Sequence, residues 1–422
     1  MTKRNIAASL LLFVFLFTTG CGPRQPAAPP APTPEPTVQA APEPLATPEP
    51  TPTPDPIAQQ VAALSTEEKV GQLLVAGIEG AVPGSDAEYA LQTVKVGGVI
   101  LFGSNVQSAE QLASLNNALK ERNAGNLPLL LCVDEEGGTV SRMPPEVTDL
   151  PSSYDYIAAG GDAYARGRVL GAECAAFGFH LDFAPSLDVW SNPDNTVIGK
   201  RAFGSDWKVV SGFGAAVSNA LQAAGVIPVV KHFPGHGDTV VDSHMGLSVV
   251  DKSLEDLSLQ ELPPFRDLIS GGETPSGRAE AVPAVMVAHI LMTQLDPDLP
   301  ASLSPAVVTD LLRGELGFGG VVFTDDLTMG AITQNYGLGE AAVLAVEAGC
   351  DMLLVCHGRD SVDAARSALL EAAASGRISQ ARLDESVRRI LSLKLEYGVS
   401  GEPVSAPDLN ALNALVDAVA AQ

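Results

Sequence analysis

Between Lys231 and His244 the chain places one ammonium, three imidazoles (His232, His236, His244) and two carboxylates (Asp238, Asp242) within fourteen positions. The run Lys231-His232-Phe233-Pro234-Gly235-His236-Gly237-Asp238 follows the apolar stretch Val226–Val230 directly, and Asp242-Ser243-His244 comes just after it. Pro234, Gly235 and Gly237 turn a strand-like segment into an ordered loop. Titratable groups crowded at the end of a buried strand are costly to desolvate, so they point to chemistry more than to packing. Three uses stay open at this point. They are acid–base and nucleophilic catalysis, metal ligation through His232, His236, Asp238, Asp242 and His244, or a structural polar cluster.

Elements that would hold such a cluster recur along the chain. Apolar runs predict strands at 72–78, 98–102, 127–133, 181–185 (continuing toward Val189), 226–230, 284–288, 320–323 and 351–355. Helical patterns alternate with them, including 109–122, 206–224, 305–316 and 339–348, with closing helices near 361–374 and 380–397. This alternation predicts an α/β fold, a TIM-type (β/α)8 barrel forming a single catalytic domain, with a doubly wound open sheet as the alternative. Polar residues fall where strands end: Asp134-Glu135-Glu136, Asp188, Lys231-His232, His289 and Asp325-Asp326. The C-terminal ends of the strands are the face on which a parallel barrel builds its site.

Those residues carry a resemblance. Lys-His-Phe-Pro-Gly-His-Gly with the downstream Asp-Ser-His is similar to the β-N-acetylglucosaminidase branch of glycoside hydrolase family 3, in its short single-domain form. Support extends from Glu68-Lys69-Val70-Gly71-Gln72 to Ala348-Gly349-Cys350-Asp351. It includes Asp134–Arg142, Asn192-Pro193, Ile198–Gly204 and Thr324–Met329. The resemblance implies a retaining glycosidase with Asp325 as nucleophile and His244 as acid/base. It places Asp134, Arg142, Arg201, Lys231 and His232 around the terminal sugar and requires no cofactor or metal. Asp326 is the rival nucleophile. Adjacent side chains of an extended strand face opposite ways, which lets only one reach the sugar, and the motif favours the first. A histidine can exchange protons near neutral pH without severe tuning. Asp242, two positions earlier, falls on the same face of an extended segment and can orient the ring. His236 and Asp238 are expected to organise the loop and Asp188 to be structural. His289 is expected either to line the pocket or to sit in the core.

The remaining features concern placement. Residues 5–20 are apolar after Lys3 and Arg4, too short for a typical membrane span and flanked like a secretory signal, so 1–20 is expected to be a signal peptide. Thr18-Thr19-Gly20-Cys21 resembles a bacterial lipobox, implying lipidation of Cys21 as the mature N-terminus. Thr18 stands where Leu is usual, and a plain secretory signal is the other reading. Residues 23–56 hold 14 prolines in 34 positions, a composition that cannot bury a core. At ~3.1 Å per residue in polyproline II, the 21–56 tether reaches roughly 100 Å. The catalytic barrel is expected over 57–400 and a C-terminal tail over 401–422.

Without Lys3 and Arg4 the chain has 23 basic and 50 acidic residues, a charge of −27 that argues against nucleic acid or an anionic lipid surface as partner. Cys132, Cys174, Cys350 and Cys356 lie in or beside apolar or helical runs with no CxxC pair, and are expected to be buried thiols. Trp190 and Trp207 are the only tryptophans, which favours a pocket for one terminal sugar over a polymer groove. The expectation is an exported, envelope-anchored monomer, held to the membrane through its N-terminal lipid only. It would release N-acetylglucosamine from peptidoglycan fragments or chito-oligosaccharides. A phosphorylase on the same scaffold, a metal-dependent hydrolase and a non-catalytic glycan-binding lipoprotein are the alternatives.

Overall fold

The computed structural model describes residues 55–239, 246–274 and 277–420, with four isolated positions in the N-terminal segment. The expected signal peptide, Cys21, Asp242 and His244 lie outside the described residues. Eight parallel strands close into a barrel: β1 (Leu74–Gly77), β2 (Gly98–Leu101), β3 (Leu130–Val133), β4 (Leu181–Asp182), β5 (Ile227–Phe233), β6 (Ala284–Val287), β7 (Val321–Asp326) and β8 (Met352–Val355). β8 pairs back onto β1, with Leu74 opposite Leu353. That closure separates the barrel from the open-sheet alternative. Every residue of β2, β3, β6 and β8 is buried, as strands covered on both faces must be. Inside, the Phe183 and Phe323 rings meet edge to face at 5.5 Å.

The covering helices include α1 (Ala109–Arg122), α2 (Ala163–Phe177), α3 (Trp207–Ala223), α4 (Leu262–Ser270), α5 (Leu338–Ala348), α6 (Arg359–Ser375), α7 (Gln380–Glu396) and α8 (Leu409–Ala420). Ser108, Asp162, Asp206 and Ser379 each accept a first-turn backbone N–H and so start α1, α2, α3 and α7. The stretch expected as a helix at 305–316 forms a π-helical run, Ala306–Glu315. The segment expected as a tail contains α8, whose Leu412, Val416 and Val419 are buried, and it packs on α2. Asn413 of α8 accepts from Thr148 N (2.9 Å) and donates to the Glu146 carbonyl (2.8 Å). The four thiols are free and buried.

Three departures from the predicted strands shape the site. β4 has only two ladder residues, shorter than the predicted run. Its continuation still follows β5 through a Ser186–Lys231 bridge. β5 runs on through Lys231 and His232, and it shifts register against β6 between Val230 and Phe233. β7 shifts similarly against β8 between Phe323 and Asp326. At such irregularities side chains no longer alternate strictly between faces.

The N-terminal end of the barrel is closed by ions. Asp351, fully buried ahead of β8, accepts from Arg313 (2.6 Å), Arg389 (3.1 Å), Ser386 (2.6 Å) and Val322 N (3.0 Å). Lys394 of α7 reaches Gln72 at 2.8 Å.

Candidate active site

The opposite end of the barrel opens into a cavity of about 340 Å³. Its lining includes Asp134, Arg142, Arg201, Lys231, His232 and Asp325, the whole predicted set that falls within the described residues. Lys231, on β5, is 1 % exposed and donates to Asp134 Oδ1 (2.6 Å), with Glu136 Oε1 at 2.7 Å. Arg201, on the single turn Gly199–Arg201, grips Glu136 with two hydrogen bonds, Nη2 to Oε1 (2.7 Å) and Nε to Oε2 (2.9 Å). Burial pushes the Glu136 carboxyl up, but the Arg201 guanidinium and the Lys231 ammonium together hold it well below the usual carboxylate range. Two bound carboxylates keep Lys231 charged against its burial, its pKa raised above the ordinary lysine value.

His232 sits between two fixed partners. Its Nδ1 lies 2.6 Å from Asp188 Oδ2, and its Nε2 lies 3.3 Å from Arg201 Nη2. A guanidinium can only donate, so Nε2 is the acceptor and Nδ1 carries the proton toward Asp188. Asp188 is fully buried and also accepts from Ser186 Oγ (2.8 Å) and His236 N (2.6 Å). It acts structurally, as expected, and what it holds is the site. His236 packs edge-on against His232, with ring centroids 5.8 Å apart, and meets Thr239 Oγ1 at 2.7 Å. Burial pushes its pKa down to about 4, so the ring is neutral above that pH. His236 also lines the cavity, which an organiser of the loop alone would not do. Asp238 pairs with Lys252 at 2.8 Å.

The two neighbouring aspartates of β7 both reach the cavity wall, contrary to the expectation that only one would. The register shift at this point explains why alternation fails. Their hydrogen bonding separates them instead. Asp326 is saturated by Thr328 N (2.9 Å), Thr328 Oγ1 (2.5 Å) and Cys356 N (3.0 Å). Asp325 is half-buried and accepts a single backbone N–H, from Asp326 at 2.8 Å. Burial raises the Asp325 pKa, but His289, the Asp326 N–H and the Lys231 ammonium outweigh it, leaving the carboxyl ionised below the ordinary aspartate range. His289 does not line the cavity. It is buried beneath it, between Ser302 Oγ (2.6 Å) and the Asp326 carbonyl (3.0 Å), which requires a proton on Nε2.

Arg142 is carried by a loop that Glu135 ties down. The Glu135 carboxylate accepts from Arg142 N (2.6 Å), Ser141 Oγ (2.9 Å) and Gly137 N (3.2 Å). The Arg142 guanidinium gives one hydrogen bond to the Ser141 carbonyl (3.1 Å), and its buried Nε has no protein partner. A buried donor lacking a partner in a cavity wall suits a ligand oxygen. Sequence reasoning missed Glu136 as the bridge between Lys231 and Arg201, and missed Phe102, Met286 and His357 on the wall. Glu136 stood inside the quoted motif, but its partners lie 65 and 95 positions away. Among the described residues no group of His, Cys, Asp or Glu is arranged to hold a metal ion.

Residues 65–393 match the glycosyl hydrolase family 3 N-terminal domain. The chain belongs to this family. Family 3 relatives include beta-hexosaminidase LpqI of Mycobacterium tuberculosis, 38% identical over 348 residues, 79% of this chain and 84% of that protein. Beta-hexosaminidase A of Pseudoalteromonas piscicida is 35% identical over 373 residues, and the match covers 78% of this chain and 61% of that longer protein. Among solved structures, a glycoside hydrolase family 3 beta-N-acetylglucosaminidase from Paenibacillus sp. str. FPU-7 superposes with a TM-score of 0.79 at 42% identity, covering 85% of this chain and 68% of that one. The family expected from the motifs and the barrel expected from the alternation of strands and helices are both borne out.

Proposed function

We propose that this chain is an exo-acting, retaining β-N-acetylhexosaminidase that removes terminal N-acetylglucosamine from peptidoglycan fragments or chito-oligosaccharides. The observation that carries this reading is Asp325, an ionised, sparsely bonded carboxylate facing a cavity also lined with charged donors and acceptors. In the first step Asp325 attacks the anomeric carbon as the aglycone oxygen takes a proton, giving a glycosyl ester. In the second, water loses its proton to the same base and releases the sugar with retained configuration. The family resemblance gives the acid/base role to His244, oriented by Asp242, both outside the described residues. Asp134, Arg142, Lys231 and His232 hold the hydroxyls, while Arg201 holds Glu136 in place.

Release of p-nitrophenol from its β-N-acetylglucosaminide tests the reading. Asp325→Ala is expected to lower kcat by about three orders of magnitude or more with the fold intact. Undiminished turnover in that variant would remove Asp325 as nucleophile, and phosphate-dependent turnover would make the enzyme a phosphorylase. We also propose export and anchoring through Cys21, with residues 21–56 as tether. No helix among the described residues is long and apolar enough to cross a membrane. Labelled palmitate is expected in the full chain and absent from Cys21→Ser.

A further inference from the structure

Lys231, Asp134 and Arg201 form one charged wall of the glycone cavity, and a glycan whose terminal sugar is held there extends away from it. Phe102 and His357 also line this cavity, their ring centroids 5.3 Å apart. Beyond them a second cavity of about 330 Å³ opens at the ends of β1 and β8. Phe102, Cys356 and His357 line both spaces, and the His357 side chain is 69 % exposed, making it a rim shared by the two. Each cavity is within the size range that holds a small ligand.

The second space differs in charge. Glu79 and Asp86, from the segment after β1, and Arg359, at the start of α6, line it. The Asp86 carboxylate is held by Glu79 N at 2.6 Å. The Arg359 guanidinium lies over the Tyr89 ring at 4.1 Å. Two carboxylates against one guanidinium accept and donate hydrogen bonds to hydroxyls, while repelling a further carboxylate.

We propose that this second cavity is the subsite for the leaving sugar. It selects an uncharged pyranose such as N-acetylglucosamine over one bearing a carboxylate. The inference rests on the glycosidase reading above and narrows its substrate class.

Three substrates test it on the full chain: N-acetyl-β-glucosaminyl fluoride, which puts no sugar in the leaving position, chitobiose, and N-acetylglucosaminyl-N-acetylmuramic acid. Wild type is expected to turn over chitobiose with the higher kcat/KM of the two disaccharides. Arg359→Ala is expected to lower kcat/KM for chitobiose about tenfold, the loss of one charge-assisted hydrogen bond, while leaving turnover of the fluoride unchanged. Glu79→Gln is expected to narrow the gap between the two disaccharides. A wild type that favours the muramic disaccharide, or variants that leave chitobiose turnover intact, would overturn the proposal while leaving the glycosidase reading standing. Failure to hydrolyse even the fluoride would take down both.

Discussion

At the N-terminal end of the barrel, Asp351 is fully buried and takes hydrogen bonds from two arginines, a serine and a backbone N–H. At the C-terminal end, Lys231 is almost as deeply buried and lies between two carboxylates. Both are ionic clusters inside an apolar fold, and both bridge segments far apart in sequence. They differ in what is left over. The Asp351 cluster is enclosed by its own partners, whereas the Lys231 cluster fronts a cavity beside an arginine with an unpartnered Nε and an aspartate with one hydrogen bond. Buried charge alone therefore does not mark a site. Buried charge with unspent hydrogen-bonding capacity facing a cavity does.

The comparison can be broken from either end. Asp351→Ala strands buried cations and is expected to cost about 3–5 kcal/mol of stability, read as a large fall in Tm, with kcat/KM near wild type below the transition. A fall in kcat/KM with Tm unchanged would mean the closed cluster is functional after all. Arg142→Ala is expected to do the reverse, lowering kcat/KM by roughly tenfold to a hundredfold, mostly through KM, with little change in Tm. A Tm loss without a KM effect would make Arg142 a structural residue.

Glu135 sharpens the contrast, because it belongs to both worlds. Burial pushes its pKa up from 4.5 to about 7, against the three donors that favour its charged form. The folded state therefore holds a proton that the unfolded chain has released. Its contribution to stability is full below pH 4.5 and is lost as pH rises toward about 7. Denaturation across that window is expected to show the decline in wild type and a flatter profile in Glu135→Gln. A steeper decline in the variant would mean the charge is stabilised by the loop it ties.

Much of this was legible in the residues. The eight apolar runs, and the gathering of Asp134, Lys231, His232 and Asp325 at strand ends, followed from periodicity and from where polarity interrupted it. Long-range pairings were not legible. That Arg201 belongs to Glu136, and His232 to Asp188, depends on the order of strands around the barrel. Local backbone irregularity escaped for a different reason. Strict alternation allowed only one of Asp325 and Asp326 into the cavity, and a register shift admitted both. His357 drew no attention, because nothing about a lone histidine after β8 shows that it will stand over Phe102.

The clasp made by Asn413 has a consequence for where this protein can be cut. The family-matched span ends at residue 393, and residues 401–422 read as a C-terminal tail in the sequence. Yet Asn413 holds Thr148 and Glu146, in the same stretch of chain that leads from Arg142 to α2. A fragment trimmed to the family boundary would keep every barrel strand and every ion around Lys231. It would lose the brace on the Arg142 segment together with Lys394 and the buried face of α8, so grip on the sugar and stability would fall together.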